Sequence, residues 1–163
     1  MDTIDYKIVK RMMEQGRITW AELGAFLGLS APAAADRVRR LEEYGVIKGY
    51  SALVDPGAVG CGLTAFIAVT LERPEHRGSF LQRIQELTAV QECHHVAGDA
   101  DYILKVRCAH ISNLEVIASE YIKGLPGVIK TRTTVVLSTV KETTVLPLSL
   151  EDSSPHRGGR EDK

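Results

Sequence analysis

The spacing of apolar residues changes its period once along this chain, across Asp55-Pro56-Gly57-Ala58-Val59-Gly60-Cys61-Gly62. Before that turn-rich stretch, apolar residues recur every three or four positions. After it, strand-length apolar runs alternate with helical ones. A single switch of period at that point predicts a small helical domain followed by a separate α+β domain. Residues 1–50 are assigned to the first, 51–63 to a linker and 64–148 to the second.

In the first domain, Asp2 can cap a helix whose inner face is Ile4, Ile8 and Met12. Thr19 and Glu22 have capping-box spacing and open a second helix, Trp20 to Leu27. Gly28 supplies a turn, Ser30 caps a third helix, and Pro32 is tolerated in its first turn. On that helix Ala34, Val38 and Leu41 make an inward stripe, while Pro32, Ala33, Asp36 and Arg40 lie opposite, with Arg37 on the flank. Beyond Gly45, Val46-Ile47 and Tyr50–Val54 read as short strands.

The second domain reads as strand 64–71, helix 77–87, strand 90–96, strand 102–108, helix 111–123 and strand 128–140. This β-α-β-β-α-β order is ferredoxin-like, with helices on one sheet face. The other face needs a cover from outside the segment, and a second copy of the chain is the simplest one. The tail, 149–163, is polar and rich in Gly, Pro and charge, a composition that favours disorder.

Two capped helices around a glycine turn form a helix-turn-helix pattern, whose second helix enters the DNA major groove by its N-terminal residues. Small Ala31, Ala33 and Ala34 keep that end slim, and Arg37 and Arg40 can reach phosphates or guanine edges. Asp36 can orient Arg40 or accept from a cytosine amino group. The competing reading is a plain helical hairpin with a solvated arginine face. Charge does not separate the two, because residues 1–50 hold eight basic and seven acidic side chains and the whole chain has net charge −1.

The turn Ala97-Gly98-Asp99-Ala100-Asp101-Tyr102 places two carboxylates and a bare glycine N–H together, a match for a zwitterion. Aspartates also favour turns for local backbone reasons alone. Cys93-His94-His95 directs at most two ligands to one sheet face, and His110, Cys61 and Cys108 lack the spacing to complete a set, so no metal and no cofactor are expected. No activated nucleophile or phosphate loop is evident, so an enzyme is not expected. Three scattered cysteines, with no leader-like or membrane-length apolar run, fit a reducing cytoplasm.

The chain resembles the Lrp/AsnC, or feast/famine, transcriptional regulators from Asp2 to Leu148. The resemblance is carried by Asp2 and Asp5, Gly16-Arg17-Ile18, Glu22-Leu23, Gly28-Leu29-Ser30, Arg37-Val38-x-Arg40-Leu41-Glu42 and Gly45-Val46-Ile47. It continues through Gly98-Asp99-x-Asp101-Tyr102, Leu125-Pro126-Gly127-Val128 and Thr131-x-Thr133 running into Val135-Val136-Leu137. It implies a winged or plain helix-turn-helix joined to an effector-binding α/β-sandwich, the RAM domain. It further implies homodimers, assembling in many cases into octamers, that bind double-stranded DNA and respond to a small molecule, usually an amino acid.

By position the resemblance implies DNA-backbone contacts from Ser30 and Arg37, to which the helix-turn-helix pattern adds Ala31, Ala33, Asp36 and Arg40 as candidate DNA contacts. It implies effector contacts from Gly98, Asp99, Asp101, Tyr102, Thr131, Thr133 and Thr134. Alanines at 33, 34 and 35 depart from the polar side chains usual there, which shifts weight to DNA shape and bending. Ala97 replaces a common threonine and leaves effector identity open. The alternative function is an architectural protein that binds DNA without an effector.

Overall fold

The computed structural model describes residues 1–148, so the expected disorder of the 149–163 tail lies outside the described residues. Two compact units form: residues 1–52, joined by residues 141–148, and residues 53–140.

The first unit contains α1 (Thr3–Glu14), α2 (Trp20–Leu27) and α3 (Ala31–Glu43). Asp2 and Asp5 form a reciprocal capping box on α1, and Thr19 and Glu22 do the same on α2. Gly28 ends α2 in the left-handed conformation at φ 69°, which costs glycine little. Ile8, Met12, Leu23, Ala34, Val38 and Leu41 make the core of this unit. Gly24 is buried where α2 meets the turn into α3: a Cβ there would lie 2.7 Å from the Leu29 carbonyl oxygen.

The second unit contains β1 (Leu63–Leu71), a 3-10 turn at Pro74–His76, α4 (Arg77–Glu86), β2 (Val90–His95), β3 (Tyr102–Cys108), α5 (Ile111–Val116) and β4 (Val128–Val135). The four strands form one antiparallel sheet in the order β2-β3-β1-β4, the ferredoxin-like arrangement expected from the sequence. Ala65, Ile67 and Val69 of β1 and Tyr102, Leu104, Val106 and Cys108 of β3 pack against Phe80, Ile84, Leu114, Ile117 and Ile122 from the helical layer. The opposite sheet face carries Phe66, Ala68 and Thr70, flanked by Ile103, Lys105 and Arg107 on one side and Lys130, Arg132 and Thr134 on the other.

Three local expectations are corrected. Val46-Ile47 and Tyr50–Val54 form no strand. Gly45 turns left-handed, and the N–H groups of Val46 and Ile47 both donate to the Leu41 carbonyl, closing α3 rather than starting a ladder. The helix expected over 111–123 widens after α5 into a π-helical stretch, Ile117–Ile122. The strand expected to reach residue 140 ends at Val135, because its partner runs out: Ala65 faces Val135, and Val136 N–H makes a last bond to Thr64.

Candidate nucleic-acid interface and effector turn

α3 presents a narrow outer arc. Ser30 Oγ accepts the Ala33 N–H at 3.3 Å and fixes where the helix starts. Ala34, Val38 and Leu41 are buried, so Ala34 is a core residue and contributes slimness only to the interior. Pro32, Asp36, Arg39 and Arg40 are exposed, and Ala31, Ala33 and Ala35 are partly covered between them. The arc therefore offers two exposed arginines, Arg39 paired with Asp36 and Arg40 beyond it, past an almost bare first turn.

Asp36 pairs with Arg39, three residues on, and not with Arg40 as the sequence allowed. Arg39 was missed among the candidate DNA contacts. Its exposure on the same arc as Arg40 was readable from helical spacing.

Arg37 has a different setting. Its Nη1 donates to Asp2 Oδ2 at 2.7 Å and to Asp5 Oδ1 at 2.9 Å, and only 23% of the side chain is exposed. These bonds tie α3 to the capped start of α1. The Asp5 backbone N–H, and after it the Arg37 guanidinium, hold the Asp2 carboxyl below its ordinary value; the two aspartates in turn raise Arg37. Elsewhere in this unit, the Arg11 guanidinium lies 4.2 Å over the Phe26 ring, a cation–π contact between α1 and α2.

In the second unit the Gly98–Tyr102 turn joins β2 to β3. Gly98 and Asp99 stand exposed at its tip. Gly98 does not adopt positive φ, and a Cβ there would meet open space, so nothing within the protomer demands glycine. Asp101 is bound inward. Its Oδ2 accepts the Leu71 N–H at 2.7 Å and its own N–H donates to Val69 O at 2.9 Å, latching the turn to β1 beside the irregularity at Thr70/Leu71.

Tyr102 is 2% exposed, with its ring 5.0 Å from Phe80 and 5.1 Å from His95 by centroids; its buried hydroxyl has no hydrogen-bond partner among the described residues. Thr131 faces Val69 and Thr133 faces Ile67, on the same sheet face as Tyr102. Thr134 pairs with Phe66 and points to the opposite face. One protomer therefore brings Tyr102, Thr131 and Thr133 to one side, Gly98 and Asp99 to the tip, and leaves Thr134 apart.

A half-open cavity of about 370 Å³ lies elsewhere in this unit, between the end of α4 and α5, lined by Leu87, Ala89, Asn113, Val116 and Tyr121 among others. It contains none of the candidate effector residues. Cys93 and His95 face the helical layer, whereas His94 shares Glu92 with Lys105 on the open face. Among the described residues no group of three or more His, Cys, Asp or Glu side chains converges as a metal would require. No helix among them is long and apolar enough to cross a membrane.

Comparison with known proteins bears on both units. Residues 1–42 match the family model of the AsnC-type helix-turn-helix domain, and residues 64–146 match that of the Lrp/AsnC ligand binding domain. The leucine-responsive regulatory proteins of Klebsiella pneumoniae and Escherichia coli strain K12 are each 41% identical over 144 residues, 87% of this chain and 88% of theirs. A transcriptional regulator of Neisseria meningitidis, solved in complex with L-methionine, superposes with TM-score 0.86 at 30% identity, covering 90% of this chain and 96% of that one. A feast or famine regulatory protein from M. tuberculosis, also complexed with L-methionine, gives 0.81 at 39% identity over 86% and 95%.

Proposed function

The chain belongs to the Lrp/AsnC family of transcriptional regulators, and on that premise we propose how its two units divide the work: α3 reads duplex DNA, and the sheet unit assembles copies and senses an amino acid. The observation that carries the DNA half is the exposed arc of α3, slender at its capped start and cationic at Arg39 and Arg40. Ser30, Ala31 and Ala33 approach the backbone, where the positive end of the helix favours phosphate. Asp36 and Arg40 face the groove. Arg37 contributes from the flank, where its bonds to Asp2 and Asp5 fix the angle at which α3 is presented.

The effector half rests on the Gly98–Tyr102 turn together with Thr131, Thr133 and Thr134. Asp99 offers an acceptor for an ammonium group, and the Gly98 N–H offers a donor for a carboxylate. Thr134 points away from Thr131 and Thr133, so no single protomer gathers all seven residues. The pocket is completed where copies meet. The chain works as a cytoplasmic homodimer, paired through the open sheet face and assembling further to an octamer. The L-methionine complexes of two structural relatives favour an amino acid of that kind.

The testing experiment measures affinity for a duplex selected from random sequence and for bulk DNA, with each of the twenty amino acids present and absent. Tighter binding to the selected duplex, altered by at least one amino acid, is expected. Equal affinity for both with no amino-acid effect overturns the reading and leaves an architectural DNA binder, the role that the alanine-rich start of α3 would suit.

A further inference from the structure

α1 carries apolar residues on two sides, and the helical core accounts fully for only one of them. Ile4, Ile8 and Met12 face α2 and α3. Tyr6 and Met13, two turns apart, lie on another side and are each partly covered, with Val9 between them also packed against the helical core. A helix with a second apolar side needs a second neighbour.

The neighbour comes from the other end of the chain. After β4 the backbone leaves the sheet, and Leu137 and Val140 stand 98% and 97% exposed. Residues 141–148 cluster with the N-terminal unit. The Leu146 N–H donates to Met13 Sδ at 3.4 Å. Val145 N–H bonds to Thr143 Oγ1, and Leu148 N–H to the Leu146 carbonyl around Pro147, so the segment is locally shaped as well as docked. A bond to thioether sulfur is weak, and Leu146 is itself 62% exposed, with Leu148 partly covered beyond it, so the N–H fixes the register of a lightly held segment.

We propose that residues 141–148 form a strap that docks, within one chain, on the second apolar side of α1. The DNA-binding unit is then held at two points of the chain, by the linker after Ala52 and by the strap. The strap also continues from β4, the strand bearing Thr131, Thr133 and Thr134, so it gives the effector side a covalent line to α1. That second role rests on the effector reading above; the docking does not.

Hydrogen exchange on the full-length protein tests the docking. In Leu146→Glu, the amides of the last turn of α1 (residues 11–15) should exchange on the order of tenfold faster, with little change in the core of the sheet unit. In Met13→Glu, the Leu146 amide should lose its protection. Leu137→Glu, at a fully exposed position, should leave both unchanged. Unaltered α1 exchange in Leu146→Glu, or protection that rises with protein concentration as an exchanged strap would give, overturns the proposal. If the wild-type protein binds no duplex, the functional reading fails while the exchange result still decides the strap. If it binds, Leu146→Glu should also shrink the change in DNA affinity caused by the active amino acid, and an undiminished effect removes the coupling role.

Discussion

Arg37 shows how one side chain can look like a DNA contact in sequence and serve the fold first. It lies on the flank of α3, but its partners, Asp2 and Asp5, are 35 and 32 residues away, and no local pattern announces them. The pairing has a pH consequence. Asp2 titrates below its ordinary value of 3.8 because its charged form accepts the Asp5 N–H and the Arg37 guanidinium. A carboxylate whose folded value is lowered adds stability that is fully present above the unfolded value and is lost as pH falls through the folded one. Asp2 is half-exposed, so solvent screening keeps the contribution small. Melting temperatures of wild type and Asp2→Asn should therefore differ near neutral pH and converge well below pH 3.8. A constant gap would show that Asp2 does not act through its charge. Arg40 belongs to the same scale with the opposite logic. It has room to face DNA, so Arg40→Ala should weaken binding and lower the slope of log affinity against log salt by about one, at unchanged stability. Arg37→Ala should instead cost about 1 kcal/mol of stability along with affinity, measured by urea unfolding beside the same titrations.

Elements were more legible than side-chain partners. The three helices followed from caps and 3.6-residue spacing because both signals are local: Thr19 and Glu22, or Ser30 and Pro32, state a helix start within four residues. The sheet order followed because a β-α-β-β-α-β succession leaves few arrangements. Tyr50–Val54 failed for lack of a partner strand, a non-local condition, and Tyr50 instead donates to Glu42 at 2.7 Å. The end of β4 and the docking of residues 141–148 were hidden for the same reason. Of the candidate sites, the outer arc of α3 was readable by helical period, whereas the inward latch of Asp101 depends on β1, thirty residues earlier. The turn between α2 and α3 gives a test at this scale. A Cβ on Gly24 would meet Leu29 O at 2.7 Å, Ser30 C at 3.1 Å and Ala31 N at 3.2 Å, all backbone atoms that cannot rotate aside. Gly24→Ala should cost about 1–3 kcal/mol and lower DNA affinity further by tilting α3. Gly98→Ala, which meets open space, should leave stability unchanged. Urea midpoints for the pair separate a steric demand inside the protomer from one outside it.

For the molecule as a whole, the sheet poses the remaining question. One face is closed by α4, α5 and the π-helical stretch, and the other leaves Phe66 40% exposed beside Ala68 and Ile103. Among the described residues the same face carries Lys105, Arg107, Lys130 and Arg132, with Glu92 shared by Lys105 and His94. Two copies meeting there would gain by covering the apolar centre and lose by bringing like charges together. Salt should then act with opposite signs on the two proposed activities. Added salt screens the repulsion between copies, so the dimer should hold or tighten, while DNA binding, driven by release of counterions, should fall. Phe66→Glu removes the apolar gain at the centre of the patch and should convert dimers to monomers in sedimentation velocity. Because Phe66 lies outside the core of its own protomer, that variant should keep its fold by circular dichroism. A Phe66→Glu protein that remains dimeric would move the pairing to another surface. It would also leave Thr134, which shares that face, outside any pocket built between copies there.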